Sequence, residues 1–423
     1  MDLLARAAPF FILALIVELL VDKIRGRGLY RANDAMNSLS TGMIYLTSGY
    51  FTRVLHLLVA GFALQHLALI EIPLSWFDAS PRGIGLWVIA ALGWDFCFYW
   101  NHRMGHEISI LWAAHSVHHQ SEDYNLSTAQ RQGSMSFLLN WIFYMPLYVA
   151  GFPVEVVVTV GAINLIYQFW VHTQLVSRLG VLDRIVVTPS NHRVHHAQNE
   201  IYIDKNYGGI LILWDRLFGT FEEERDEEPV IFGVRKPLAN WNPFWANLQV
   251  YDYLLFDTVR TVRWRDKLGI WFRRTGWRPV DVAAAYPKHS SNLASFRKFD
   301  PDVAPGMRRY ILFQFVVAVA SALMITQLFV LGGLRIVVIP CLLLWGQLYT
   351  IGLLNEGRSN AIAFETLRLL GLNLLGTLAL QYNGIHVTAA GWVLAALYTL
   401  GSLSWLQFEK KRVETISNTI SLM

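Results

Sequence analysis

Nine stretches of this 423-residue chain are apolar over close to the length that a helix needs to cross a bilayer, and no other feature restricts its folding as much. A crossing takes about 20 mostly apolar residues, because a backbone in hydrocarbon must satisfy its polar groups within the segment. The stretches cover roughly 3–21, 39–69, 83–100, 134–151, 154–175, 310–331, 336–354, 361–380 and 387–406. The second is interrupted by Arg53 and His56 and is too long for one straight crossing, so it reads as a tilted helix or as a crossing followed by an interfacial piece. Composition agrees: only 16% of residues are charged, where a soluble domain carries about 25%. The expected fold is all-α, a polytopic integral-membrane helical bundle. The first stretch lacks a small-residue cleavage site after it and reads as a retained anchor.

Charge placement sets the expected orientation. Lys23, Arg25, Arg27 and Arg31 follow the first stretch, Arg103 and Arg131 lie between the third and fourth, and residues 178–309 are rich in Arg and Lys. Arg358 and Arg368 flank the loop before the eighth stretch, and Lys410, Lys411 and Arg412 follow the ninth. On the opposite side stand Arg82 and Arg335. One topology places every basic segment on one side, which the positive-inside bias makes the cytoplasm. That bias also accounts for the net charge of +4. No zinc-finger spacing and no basic run with interleaved aromatics points to a nucleic-acid partner. Cys97 and Cys341 both sit in apolar stretches, and two such cysteines make neither a metal site nor an expected disulfide.

Four segments follow: N-terminal spans over 1–80, a core with three histidine boxes over 81–235, a cytoplasmic or interfacial segment over 236–309, and a four-span region over 310–423 that carries no obvious chemistry. The acidic run Glu222-Glu223-Glu224-Arg225-Asp226-Glu227-Glu228 is expected to be a solvated loop. Trp264-Arg265, Trp271-Phe272-Arg273-Arg274 and Trp277-Arg278 suit a membrane–water interface, with rings at headgroup depth and cations beside lipid phosphates.

Eight of the 13 histidines fall into three clusters. His102 and His106 form H-x-x-x-H; His115, His118 and His119 form H-x-x-H-H; His192, His195 and His196 repeat that pattern. Spacings of three and four place side chains on one helical face, so each cluster can aim its imidazoles at one point. Neutral imidazole suits iron, copper, nickel and zinc. Eight nitrogens exceed the four ligands of an ordinary zinc site and fit two metals with open positions. All three clusters lie at or just beyond expected cytoplasmic helix ends, as a histidine-box cap on the bundle. His172, near the end of the fifth stretch, is placed to be a ninth ligand. His56, His66, His289 and His386 stand alone and read as packing residues. Hydroxylating an unactivated C–H bond needs a redox-active metal, which side chains cannot replace, and an apolar tunnel between spans could admit a lipid and exclude water. A non-catalytic scaffold on the same fold is disfavoured because no ligand is lost.

The residues around these clusters carry a resemblance. Trp94-Asp95-Phe96, Tyr99-Trp100, the run His102–Glu107, and His118-His119-Gln120-Ser121-Glu122-Asp123-Tyr124-Asn125-Leu126-Ser127-Thr128-Ala129 belong to it. So do Tyr167–Thr173, Thr188–His196, Ile203-Asp204-Lys205-Asn206-Tyr207-Gly208-Gly209 and Trp214–Phe221. Together, across about residues 10–280, they resemble the alkylglycerol monooxygenase-like branch of the fatty acid hydroxylase / sterol desaturase superfamily. The resemblance implies a membrane monooxygenase with two Fe ions held by the eight clustered histidines and His172. It also implies hydroxylation beside the ether oxygen of an alkylglycerol, using O₂ and tetrahydrobiopterin. It links Glu107 to pterin use or to orienting a neighbouring imidazole, and Glu122, Asp123, Tyr124 and Asn125 to similar support or to capping the next helix. Asn101 stands where the branch has an aromatic residue and Gln130 where it has Leu; neither is a ligand position. The alternative is a sterol or fatty-acyl hydroxylase or desaturase that draws electrons from an external partner, since the chain has no haem or iron–sulfur motif.

Overall fold

The computed structural model describes residues 2–288, 292–382, 384 and 388–421. His289 and His386, and Val387 at the start of the ninth stretch, lie outside the described residues. Among those described there are helices and no strand, only three isolated β-bridges. The chain divides into two compact units, one of Met1–Tyr45, Thr52–Leu238 and Ala246–Lys298, the other of Leu46–Phe51, Ala239–Trp245 and Phe299–Met423.

The first unit opens with α1 (Asp2–Arg25), α2 (Ala32–His66) and α3 (Pro81–Glu107). Ser80 starts α3 by accepting the Gly83 N–H at 3.1 Å, and Pro81 occupies the first turn, where its missing N–H costs nothing. At about 1.5 Å per residue α3 is about 40 Å long, against about 30 Å of hydrocarbon, so His102 and His106 lie at its exit. One extended residue, Ile108, separates α3 from α4 (Ser109–His119), which folds back on it. The turns α5 (Leu126–Ala129) and α6 (Ser136–Leu139) lead to α7 (Trp141–Val149), and α8 (Val154–Trp170) returns along α3 to the histidine end. The short helices α9 (Pro189–His195) and α10 (Leu213–Phe218) follow, then α11 (Pro243–Arg260), α12 (Trp264–Phe272) and α13 (Val280–Ala285). A core of Ala63, Trp94, Leu147, Tyr148, Val156 and Val160 packs α2, α3, α7 and α8 together.

The nine expected crossings meet a different helix pattern. Four described helices are long and apolar enough to cross a membrane: Ala32–His66, Pro81–Glu107, Pro305–Asn355 and Ala389–Arg412. The second stretch is the single 35-residue helix α2. The fourth is no continuous helix, being split into α6 and α7 with Pro146 inside the latter. It still reaches the far end of the unit, because the Leu69 N–H donates to the Val149 carbonyl at 2.8 Å. His56 bonds to the Tyr148 hydroxyl at 2.9 Å and His66 packs beside Phe62, as residues of packing rather than of a cluster.

The second unit holds α14 (Pro305–Asn355), α15 (Ala361–Tyr382) and α16 (Ala389–Ser421). The sixth and seventh stretches merge into α14, broken at Gly333, whose φ of +65° and ψ of −156° only glycine adopts readily. These helices are not purely apolar inside. Glu365 accepts from Tyr310 at 2.6 Å, from Thr350 at 2.7 Å and twice from Arg368 at 2.7 Å. Arg368 and Tyr398 also donate to Gln314 Oε1, at 3.0 and 2.6 Å. The network joins all three helices, through buried side chains on α14 and α15 and the partly buried Tyr398 on α16. Replacing Glu365 by Ala leaves a buried guanidinium without its counter-ion, and losing one partner of such a pair costs about 3–5 kcal/mol. E365A is therefore expected to lower the thermal midpoint of detergent-solubilised protein well below that of E365Q, read by size-exclusion after heating; equal midpoints would contradict this account of the network.

Candidate metal centre

The nine histidines singled out from the sequence meet at one end of the first unit, in two sets. His102, His106, His115, His119 and His195 form one; His118, His172, His192 and His196 form the other. Within each set one ring nitrogen per residue lies within 4.8 Å of all the others. The sets cut across the sequence clusters: H-x-x-H-H on α4 sends His115 and His119 one way and His118 the other, and His195 parts from His192 and His196. Residues four apart share a helical face, whereas adjacent residues diverge by about 100°. The sets abut, with the His119 ring stacked on His196 at 4.3 Å between centroids and His192 on His195 at 5.1 Å.

Backbone carbonyls fix the protonation of four rings. His102 Nδ1 bonds to the Tyr207 carbonyl at 2.8 Å, His118 Nδ1 to that of Arg131 at 2.8 Å, His172 Nδ1 to that of Gln168 at 2.8 Å, and His195 Nδ1 to that of Lys205 at 3.0 Å. A carbonyl only accepts, so each Nδ1 carries the proton and each Nε2 presents a lone pair. His118 and His172 then face each other Nε2 to Nε2 at 3.2 Å with no proton between them. Nε2–Nε2 approaches of 3.0–3.2 Å also join His172 to His192, His192 to His196, and His115 to both His102 and His119. The Nε2 atoms of His106 and His195 are buried without a hydrogen-bond partner. Burial also pushes the imidazoles of α4 and the later segments down, His118 to about 4 and His115, His119, His192, His195 and His196 well below the usual value. These rings are neutral ligands in waiting. Converging lone pairs with no donor are what a cation stabilises, so the donor set fits a metal.

The supporting groups come from distant parts of the chain. Asp215 accepts from the backbone N–H groups of Tyr207 and Gly208, both at 2.7 Å, and so aims the Tyr207 carbonyl at His102. Asp204 and Asn206 adopt positive φ, +60° and +56°, on either side of the Lys205 carbonyl that receives His195. Gly209 passes so close to α3 and α8 that a Cβ would lie 2.7 Å from Asp95 Oδ1 and 2.8 Å from Asn164 Nδ2. Asp95 accepts from the N–H groups of Ile210 and Leu211 and from the Trp214 indole. Fully buried Arg131 donates to the Val117 carbonyl and to Gln120, which holds α4 beside its own carbonyl.

The residues after the second cluster divide their roles. Asn125 caps α5, accepting the Ser127 N–H at 3.0 Å. Asp123 pairs with Arg31 at 3.1 Å and Lys298 at 2.6 Å, and Glu122 lies 3.5 Å from Arg31. Tyr124 donates to the Val171 carbonyl and packs over His172 and His196. Glu107 pairs with Arg103 at 2.9 Å at the partly exposed end of α3. One reading changes. The acidic run is not wholly a solvated loop, because Glu224 takes a two-pronged bond from Arg193 at 2.8 and 2.7 Å and another from Ser190. Its acidic neighbours gave no sign of this; the signal was Arg193, a charge inside a buried histidine cluster.

This constellation defines a class. Residues 87–220 match the family model described as fatty acid hydroxylase, so the fold and site are those of a histidine-rich membrane hydroxylase. The chain is 34% identical to alkylglycerol monooxygenase of Danio rerio across 97% of its own length and 90% of the relative's. Against alkylglycerol monooxygenase of Homo sapiens it is 35% identical, across 87% and 81%. Ornithine lipid hydroxylase OlsE of Rhizobium tropici is 31% identical over 39% of this chain and 50% of that protein. The chain belongs to the alkylglycerol monooxygenase family. It is an oxygen-dependent oxidoreductase, and its family and histidine sets together point to iron. No solved structure matches it.

Outer groups that orient a ligating histidine are worth about 10–100-fold in metal affinity. Asp215→Ala strands two buried N–H groups and frees the Tyr207 carbonyl, so it is expected to weaken iron retention by about that factor with helix content unchanged. Chelator competition with circular dichroism checks both; wild-type retention would remove Asp215 from this role.

Proposed function

We propose that the two histidine sets hold two iron ions, and that the protein hydroxylates the carbon beside the ether oxygen of an alkylglycerol. The single observation that carries the metal reading is the 3.2 Å approach of His118 Nε2 to His172 Nε2, two rings whose protons are held at Nδ1 by backbone carbonyls. Two nitrogens about 2.1 Å from one ion lie about 3.0 Å apart at a right angle and about 3.4 Å apart at a tetrahedral angle. Separations of this order suit nitrogens sharing one ion, and the family relationship supports iron as that ion. The family relationship supports the ether-lipid substrate.

Iron held there would supply activation of O₂, which no side chain provides. The protein's part is placement and exclusion. Histidine donors from four separated segments, fixed by carbonyls, keep the centre rigid, and burial keeps water away from the reacting C–H bond. One oxygen atom enters that bond to give a hemiacetal; the other leaves as water, with two electrons and two protons drawn from a reduced pterin. The hemiacetal then falls apart to a fatty aldehyde and a glycerol. Glu107 with Arg103, at the partly exposed rim beside His106, is the place for the pterin to approach. The positive-inside bias of the basic segments supports a cytoplasmic position for this end of the molecule.

Purified protein is expected to carry about two irons per chain, and His106→Ala and His172→Ala to lose about one each, because they belong to different sets; natively folded wild type that takes up no iron would overturn the metal reading. Given alkylglycerol, tetrahydrobiopterin and O₂, the loaded protein should release fatty aldehyde. Turnover of another lipid with a ferredoxin or cytochrome donor, and none with alkylglycerol, would replace the ether assignment with the acyl or sterol one.

A further inference from the structure

The segment after α11 combines three properties rarely found together on a protein surface. Val262, Trp264, Leu268 and Phe272 are 83%, 79%, 67% and 66% exposed. The last three follow one another at four-residue spacing and form a single stripe along α12, opposite Ile270, which is buried. The flanks are basic: residues 259–280 carry seven Lys or Arg against one Asp. Arg263 and Arg265 are exposed and have no carboxylate partner among the described residues. A stripe of this kind costs free energy in water, and beside unpaired cations it matches a surface that is apolar beneath and anionic above.

The segment is also tied to the end of α3. The Ser109 N–H donates to the Arg273 carbonyl at 3.1 Å, the Thr275 N–H to the Glu107 carbonyl at 3.0 Å, and the Thr275 hydroxyl to the carbonyl of His106. Ile108 and Arg274 form an antiparallel bridge. Glu107 ends a helix longer than the hydrocarbon is thick, so the chain stapled to it lies at headgroup depth. The stripe on α12 is therefore continuous with the membrane surface that α3 already meets.

We propose that α12 is an interfacial helix that docks on anionic phospholipid, with Trp264, Leu268 and Phe272 among the acyl chains and Arg263 and Arg265 on headgroup phosphates. Its anchoring segment, 273–275, ties it to the backbone at the end of α3. The proposal concerns a lipid surface and stands whether or not an alkylglycerol is the substrate.

The test uses the full-length protein in nanodiscs of phosphatidylcholine alone or with about one third phosphatidylglycerol. A spin label at Leu268→Cys, in a background with Cys97 and Cys341 replaced by Ala, reports access to a water-soluble nickel chelate and to lipid-soluble O₂. With anionic lipid, nickel access is expected to fall about two-fold or more and O₂ access to rise. Arg263→Gln with Arg265→Gln should abolish the difference between the two disc types without changing thermal stability. A label equally accessible to nickel in both discs would overturn the proposal, and so would one that is equally shielded in both. Shielding that persists in lipid-free amphipol would assign the stripe to a second copy of the chain instead.

Discussion

The structure turns on imidazole nitrogens that converge in a buried site. Burial in apolar surroundings makes an imidazolium too costly, and backbone carbonyls take the single proton each bonded ring retains. What remains between His118 and His172 is a pair of facing lone pairs 3.2 Å apart, an arrangement that a cation would stabilise. Helix ends, turn residues and buried charges in the first unit serve to hold that arrangement against its own repulsion.

That burden explains why so much polar chemistry surrounds the centre. Asp215 and Asp95 each gather backbone N–H groups and so fix the loop that delivers the Tyr207 carbonyl. Arg131 and Arg193 are cations inside the fold, and each is answered by carbonyls and side chains from other segments. The backbone turns through left-handed conformations at Asp204 and Asn206, which these two residue types adopt more readily than other side chains. The second unit has its own polar centre, in which Glu365 and Arg368 tie three helices together with the directionality that apolar packing lacks.

Much of the site was legible in the chain. Histidines three and four apart declare their own proximity, because a helix turns 3.6 residues at a time, and His172 was found from its place at a helix end. The helix class followed equally from the apolar stretches. Other features could not be read. Glu224 looks like its acidic neighbours, and only the folded loop shows that it meets Arg193 across 31 residues of chain. The stretch over 134–151 is apolar enough for a helix, yet it is split into two pieces.

By itself the sequence determined that the chain is helical, belongs in a membrane and carries nine histidines suited to hold metal, because hydropathy and helical spacing are local properties. Tertiary structure decided how those histidines divide. His118 parts from His119, and His195 from His196, because adjacent residues on a helix face different ways and the facing segments complete each set. It also decided which nitrogen of a ring is free, since that depends on a carbonyl as far away as Tyr207 is from His102. Pairwise geometry between remote segments has no signature in the order of residues, and the chemistry of this centre is written in that geometry.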